Sequence, residues 1–196
     1  EGHLLDARKN QTVHPGIRES PLKTSTLNAG DEDWLREEFR IPQVGIRIPG
    51  PDDTVVEPKE GEVAFFVSAL RLGISFPLPD FFCHFFQNFH LCPTQLALNG
   101  WRTLLGALVL SELNLETLRF GDIRAICTLK ENKSWGYYIA MTTGYQTVSS
   151  LPDTNKGWQD EYFFLTGEVG DIPKRPGLIR KPLGFYHAIL TFLFPS

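Results

Sequence analysis

The chain has 196 residues, 42% of them hydrophobic and 21% charged, with a formal net charge of −4 and a pI near 5.7. That length supports one domain with a sizeable core plus tails, and the composition is that of a folded globular protein, not a disordered one. The acidic balance excludes a strongly basic nucleic-acid-binding protein; only residues 171–196, with one acid and four bases, carry net positive charge.

Residues 1–30 show no sustained period and no apolar core of a signal peptide, and they read as unstructured. The whole segment 1–57 is expected to be largely unstructured, with a short helix at 33–39 opened by acids and ended before Pro42. Val44–Ile48 alternates in a way that predicts a short extended arm. The globular region is placed at 58–168. Gly61–Leu72 carries Val63, Phe66, Val67 and Leu70 at i, i+3, i+4 and i+7, which predicts a helix closed by Gly73.

Pro77 and Pro79 hold the next segment extended. Asp80 then opens a helix to about Leu91 whose stripe is Phe81, Phe85 and Phe89, widened by Phe82 and Phe86, and Pro93 ends it. Asn99 is a credible N-cap for a longer helix, Gly100–Leu113, with Trp101, Leu104, Leu105 and Leu108 on its face. A short helix over Leu115–Phe120 follows, capped by Asn114. Ile123, Ile126, Cys127 and Leu129 make a further apolar segment. Trp135–Thr142, Gly144–Ser149 and Trp158–Leu165 then read as three strands of an antiparallel meander. The expected fold class is therefore α+β: a helical N-terminal half packed on a small three-stranded antiparallel sheet.

Residues 169–196 read as a basic, proline-containing linker followed by the start of an apolar helix. The run Leu183–Phe194 is too short to span a bilayer, which takes about 20 residues. Its expected role is to pack against a partner that the sequence does not supply, and the chain reads as a piece of something longer. Three cysteines without a disulfide-framework spacing point to a reducing compartment, hence an intracellular location, nuclear or cytoplasmic.

Cys83, His84, His90 and Cys92 are of metal-ligand type. However, Cys83 and Cys92 are nine residues apart, about 180° around a helix, and the two histidines also diverge. Buried cysteines and surface histidines are the better reading, and no metal or other cofactor is expected. Asp80, Asp122, Glu131 and Asp153 are candidates for carboxylate-held metal ions in phosphoryl transfer on DNA, but none ends an apolar strand in a βαβ pattern. GxSxG, GxxxxGK[ST] and GxGxxG are absent, so no nucleophile elbow or nucleotide cradle is expected. The aromatic runs Trp135–Tyr138 and Tyr162–Phe164 are read as strand packing before base stacking, since lysines and acids flank them unevenly. Lys174, Arg175, Arg180 and Lys181 are the candidate nucleic-acid contacts, although four charges over eight residues also suit a solvated linker.

Taken together, four segments resemble the gypsy-type plant transposon protein domain. They are Ala69, Leu70, Gly73 and Pro77; Pro93, Gln95, Leu96, Asn99 and Trp101; Trp135, Tyr137 and Tyr138; and Lys156, Trp158, Phe163 and Phe164. The likeness covers about residues 58–167 and departs from the family pattern at Ala97–Leu98, where a proline is common. It implies a plant mobile-element origin and a capsid-like or accessory role, and it carries no catalytic residue with it. The expected function is a non-catalytic domain of a retrotransposon-derived protein, acting in self-association or binding, with no membrane or small-molecule partner. A DNA-processing transposase or nuclease and nucleic-acid binding through the basic tail are the alternatives. An RNase H-like mixed sheet would favour the enzyme.

Overall fold

Strand β5, Tyr162–Thr166, is buried from Tyr162 to Leu165 and organises the fold. It lies between β1, Gly45–Arg47, and β2, Val63–Phe66, in a three-stranded antiparallel sheet of order β1-β5-β2. Successive side chains of a strand point to opposite faces. On one face Phe65 pairs with Phe163 and Val63 with Leu165, and these join the main core. On the other, Phe66 pairs with Tyr162 and Ala64 with Phe164, and with Val55 they form a second, smaller core. The computed structural model describes residues 24–42, 44–114, 120–132 and 136–174. The fold class is α+β.

The helices in chain order are α1, Asp31–Glu38; the single turn α2, Val67–Leu70; α3, Asp80–Phe89; α4, Leu98–Leu113; and α5, Phe120–Ile126. A second sheet is the antiparallel hairpin of β3, Cys127–Glu131, and β4, Tyr137–Met141. The hairpin packs against α4 and is tied to the segment just before it. Leu96, just after the 3₁₀ turn Pro93–Gln95, bridges Tyr137, and the Ala97 N–H donates to the Tyr137 carbonyl at 2.8 Å.

Several expectations are corrected. The helix expected over Gly61–Leu72 is strand β2 running into α2. A strand buried on both faces needs no alternation, so Val63, Phe66, Val67 and Leu70 match a helical stripe by accident. The expected meander does not form: Gly144–Ser149 is a turn and bend segment lying on α4, and β5 pairs with β1 and β2. Trp158 stays outside β5 and packs edge-on to Phe66, ring centroids 4.9 Å apart. Of the helix expected over Leu115–Phe120, residues 115–119 lie outside the described residues, and Phe120 begins α5.

The folded body also extends beyond 58–168. Leu27, Leu35, Ile41 and Ile46 are buried in the main core, and Ser25 Oγ both accepts from the Tyr162 N–H and donates to its carbonyl. Val169 and Ile172 are buried too, with the Leu78 N–H donating to the Val169 carbonyl at 3.0 Å. The apolar run Leu183–Phe194 lies outside the described residues.

Candidate functional site

Helix α3 puts Phe82, Phe85, Phe86 and Phe89 in the core, while Phe81 is half-buried. Trp101 of α4 closes over them, with ring centroids 5.1 Å from Phe86, 5.7 Å from Phe82 and 6.5 Å from Phe65. The aromatic stretch is therefore a core. Cys83 and Cys92 are buried, and His84 and His90 are exposed. Among the described residues no three His, Cys, Asp or Glu gather as a metal-binding set, and Asp80, Asp122, Glu131 and Asp153 sit on four separate segments.

All three cysteines carry free thiols, and burial pushes each one up: Cys92 to about 11 and Cys127 to about 12, with Cys83 raised in the same direction. Cys92 shares a hydrogen bond with Thr94 Oγ1, and Cys83 donates to the Leu78 carbonyl. They are protonated at neutral pH, which suits packing and not nucleophilic attack.

The strongest electrostatic cluster is structural. Arg47 Nε and Nη2 donate to the two oxygens of Glu62, and Nη1 donates to Asp53 Oδ2. The guanidinium also lies 4.2 Å from the centre of the Phe164 ring. Hydrogen bonding to Arg47 holds both carboxyls below their ordinary range. With hydrogen bonds to two acids and one face over a ring, this arginine ties the 50–62 loop to the sheet.

Asn99 is not the N-cap of α4, because the helix starts at Leu98 after an extended Ala97. Its amide instead donates to the Pro152 carbonyl at 2.8 Å, and its oxygen accepts from Arg102 and Asn155. Arg102 also reaches Asn155 Oδ1 at 2.6 Å. One turn further along, Thr147 donates to the Thr103 carbonyl, and Val148 packs so closely on Gly106 that a Cβ there would collide with it. The 147–155 loop thus covers the N-terminal half of the outer face of α4.

The C-terminal half of that face is left open. Val109, Leu110 and Leu113 are 49%, 43% and 74% exposed. At 3.6 residues per turn they span about 100° of the helix, opposite the arc of Trp101, Leu104 and Ala107 that enters the core. The last turn adds an exposed Glu112 and no base, beside the helix's negative carbonyl end. Three neighbouring large apolar side chains on one helix are the only such group among the exposed hydrophobic residues described. This stripe is the candidate site.

No family model, no curated protein and no solved structure matches this chain.

Of the candidate nucleic-acid contacts, Arg175, Arg180 and Lys181 lie outside the described residues. Lys174 is exposed at the edge of the sheet, its Nζ donating to the Gly61 carbonyl at 3.2 Å. No described helix is long and apolar enough to cross a membrane. The stripe itself escaped the sequence reading, which assigned α4 one face, Trp101, Leu104, Leu105 and Leu108. The signal was present, since Val109, Leu110 and Leu113 make the helix apolar nearly all round, the pattern of a helix with neighbours on every side.

Proposed function

We propose that this chain is a non-catalytic domain of a plant retrotransposon-derived protein, acting inside the cell by self-association or by binding another protein. The observation that carries the binding role is the open stripe Val109, Leu110 and Leu113 on an otherwise covered helix. Apolar side chains grouped on one open helix face are a surface that a protein contact can cover. The residues that carry the family resemblance support the reading in a second way. Trp101, Phe163 and Phe164 are buried core, Gln95 Oε1 accepts from the Cys92 N–H, and Asn99 fixes the 147–155 loop. Each is engaged in holding the fold together, as befits a binding scaffold. The strand pairs among the described residues are antiparallel, unlike the mixed sheet expected of an RNase H-like enzyme.

The stripe is small. Three side chains expose at most a few hundred Å², whereas a stable interface buries about 800 Å² per partner. Association through it alone is therefore reversible and weak. Sedimentation velocity on the whole chain over a hundredfold concentration range tests this. The expected result is a concentration-dependent rise in mean mass that Leu113→Lys reduces. A strictly monomeric chain at every concentration would count against self-association.

A further inference from the structure

Arg36, Arg47 and Arg71 each face an acid: Glu32 for the first, Asp53 and Glu62 for the second, Glu161 for the third. Arg102 on α4 is half-buried and is held differently. Its Nη1 donates to Asn99 Oδ1 and to Asn155 Oδ1, both at 2.6 Å, and the Asn155 amide donates to the same Asn99 oxygen at 3.2 Å. Asn99 is in turn fixed to the Pro152 carbonyl, so helix and loop clamp the guanidinium between them. Both holders are neutral amides, and the arginine keeps its whole charge.

The clamp uses both N–H groups of Nη1 and leaves the fork formed by Nε and Nη2. In Arg47 the same fork receives the two oxygens of Glu62. In Arg102 it meets no acceptor among the described residues. It also reaches solvent, because the one sealed polar side-chain atom without a partner among the described residues is Thr54 Oγ1. A planar fork fixed by its third nitrogen is arranged for two oxygens of one anion, and a ligand has less side-chain freedom to remove on binding. Lys156, next to Asn155 in sequence, is exposed and faces no acid among the described residues; Asp153, the exposed acid of the same loop, pairs with neither cation. Two positive charges without an acid of their own suit a dianion better than a carboxylate.

We propose that Arg102, assisted by Lys156, binds a phosphate group carrying two negative charges, the fork taking two of its oxygens and the ammonium adding charge. Asn99 and Asn155 are positioning residues: they set the direction of the fork and, being neutral, leave its charge to the ligand. The site lies where the 147–155 loop covers α4, on other residues than Val109, Leu110 and Leu113, and it stands whether or not the stripe is a self-association surface.

Nitrogen-15 NMR of the arginine side chains in the whole chain tests it at neutral pH, with inorganic phosphate as the probe and acetate and dimethyl phosphate, at matched ionic strength, as monoanionic controls. Arg102→Lys identifies the Arg102 Nε–H signal; should that variant not fold, Asn155→Asp moves the same signal and identifies it instead. The expected result is a saturable shift of this signal with phosphate, and binding about tenfold weaker with either control. Asn155→Asp puts an acid beside the guanidinium in place of an amide, and it should weaken phosphate binding about tenfold without lowering the melting temperature. Lys156→Ala should weaken it about threefold. No saturable shift, an equal response to acetate or dimethyl phosphate, or an equal shift at the exposed Arg40 would overturn the site, and so would full affinity in Asn155→Asp. N-acetyl-phosphoserine amide separates the sources of the phosphate. Binding at least as tight as that of inorganic phosphate upholds the site for a phosphorylated side chain, and weaker binding upholds it for free phosphate.

Discussion

Arg47 holds Glu62 through two parallel hydrogen bonds, Nε to Oε1 at 2.5 Å and Nη2 to Oε2 at 2.7 Å. Glu62 is only 5% exposed, so the pair is largely shielded from water on the carboxylate side. Removing the arginine leaves a buried carboxylate whose remaining contact is the Lys59 N–H. Arg47→Ala is expected to cost about 2–3 kcal/mol, below the usual range for a fully buried pair because the arginine is partly solvated. Arg47→Lys should recover little of it, since an ammonium cannot match both oxygens and the Phe164 ring at once. Urea midpoints of the two variants check this. Full stability of Arg47→Ala would show that the cluster is ornamental.

The same cluster sets an acid limit. Asp53 and Glu62 lie below their ordinary values of 3.8 and 4.5, chiefly through hydrogen bonds from Arg47. A carboxyl depressed in the folded state contributes stability that is complete above its unfolded value and is lost as pH falls through its folded one. Unfolding free energy should therefore be flat above about pH 5 as far as these groups are concerned, and should fall steeply below pH 4. Asp53→Asn with Glu62→Gln should be less stable at pH 7 and shallower in acid. Thermal melts between pH 7 and pH 2.5 decide it, and an unchanged acid slope in the double variant would remove the cluster from the explanation.

How far the chain could be read in advance follows from the same kind of contact. The Phe-rich helix was legible because Pro79, the 3.6-residue spacing of its phenylalanines and Pro93 are all local signals. Arg47 lies on β1 and Glu62 fifteen residues on, just before β2, which does not pair with β1, so no spacing joins them. β2 was misread because a strand covered on both faces shows the same uninterrupted apolar run as a helix core. Asn99 was rightly picked as important and wrongly given a local role. An asparagine before a helix can cap it or reach away from it, and here the extended Ala97 starts the helix first, which frees Asn99 to anchor the 147–155 loop. The outer face of α4 was hidden by its own richness in leucine and valine, since two faces of one apolar helix cannot be separated by periodicity.

Gly136 makes a sharper mutational test than any of the core residues. Its φ is 62°, and a Cβ there would strike the Gln95 carbonyl oxygen, a backbone atom that cannot swing aside. Gly144 also has positive φ, at 90°, but its Cβ direction is open. Gly144→Ala should therefore lose only the backbone preference, about 1 kcal/mol, while Gly136→Ala should lose about 2–4 kcal/mol and loosen the joint between Leu96 and Tyr137. Chemical denaturation of both variants gives the comparison, and equal losses would mean that the collision is relieved elsewhere.

Trp101 should dominate the core energetics. It touches three aromatic rings from two different elements and is 1% exposed, whereas Trp34 on α1 is 38% exposed and meets only Phe39 among the ring contacts described. Trp101→Ala is expected to cost about 3–5 kcal/mol, enough to threaten folding of a domain with ordinary stability, and Trp34→Ala less than about 1 kcal/mol. Trp101→Phe keeps part of the stack and should fall between. Calorimetric melting temperatures rank the three, and a Trp34 variant as unstable as Trp101→Ala would shift the centre of the core to α1.

The thiols predict how the protein ages. Cys92 and Cys127 are raised to about 11 and about 12 by burial, so both stay protonated in the folded state up to strongly alkaline pH. In the unfolded chain they ionise near their ordinary value of 9.0. Stability from this source is complete below pH 9 and is lost as pH rises from there toward the folded values. Reaction with a thiol reagent at pH 8 should accordingly be limited by opening of the structure and proceed at the rate of unfolding, with all three cysteines released together in guanidinium. Rapid labelling of one cysteine in the native protein would identify a local opening, and Cys83, which lies against the Gly170 turn near the end of the described chain, is where it would occur first.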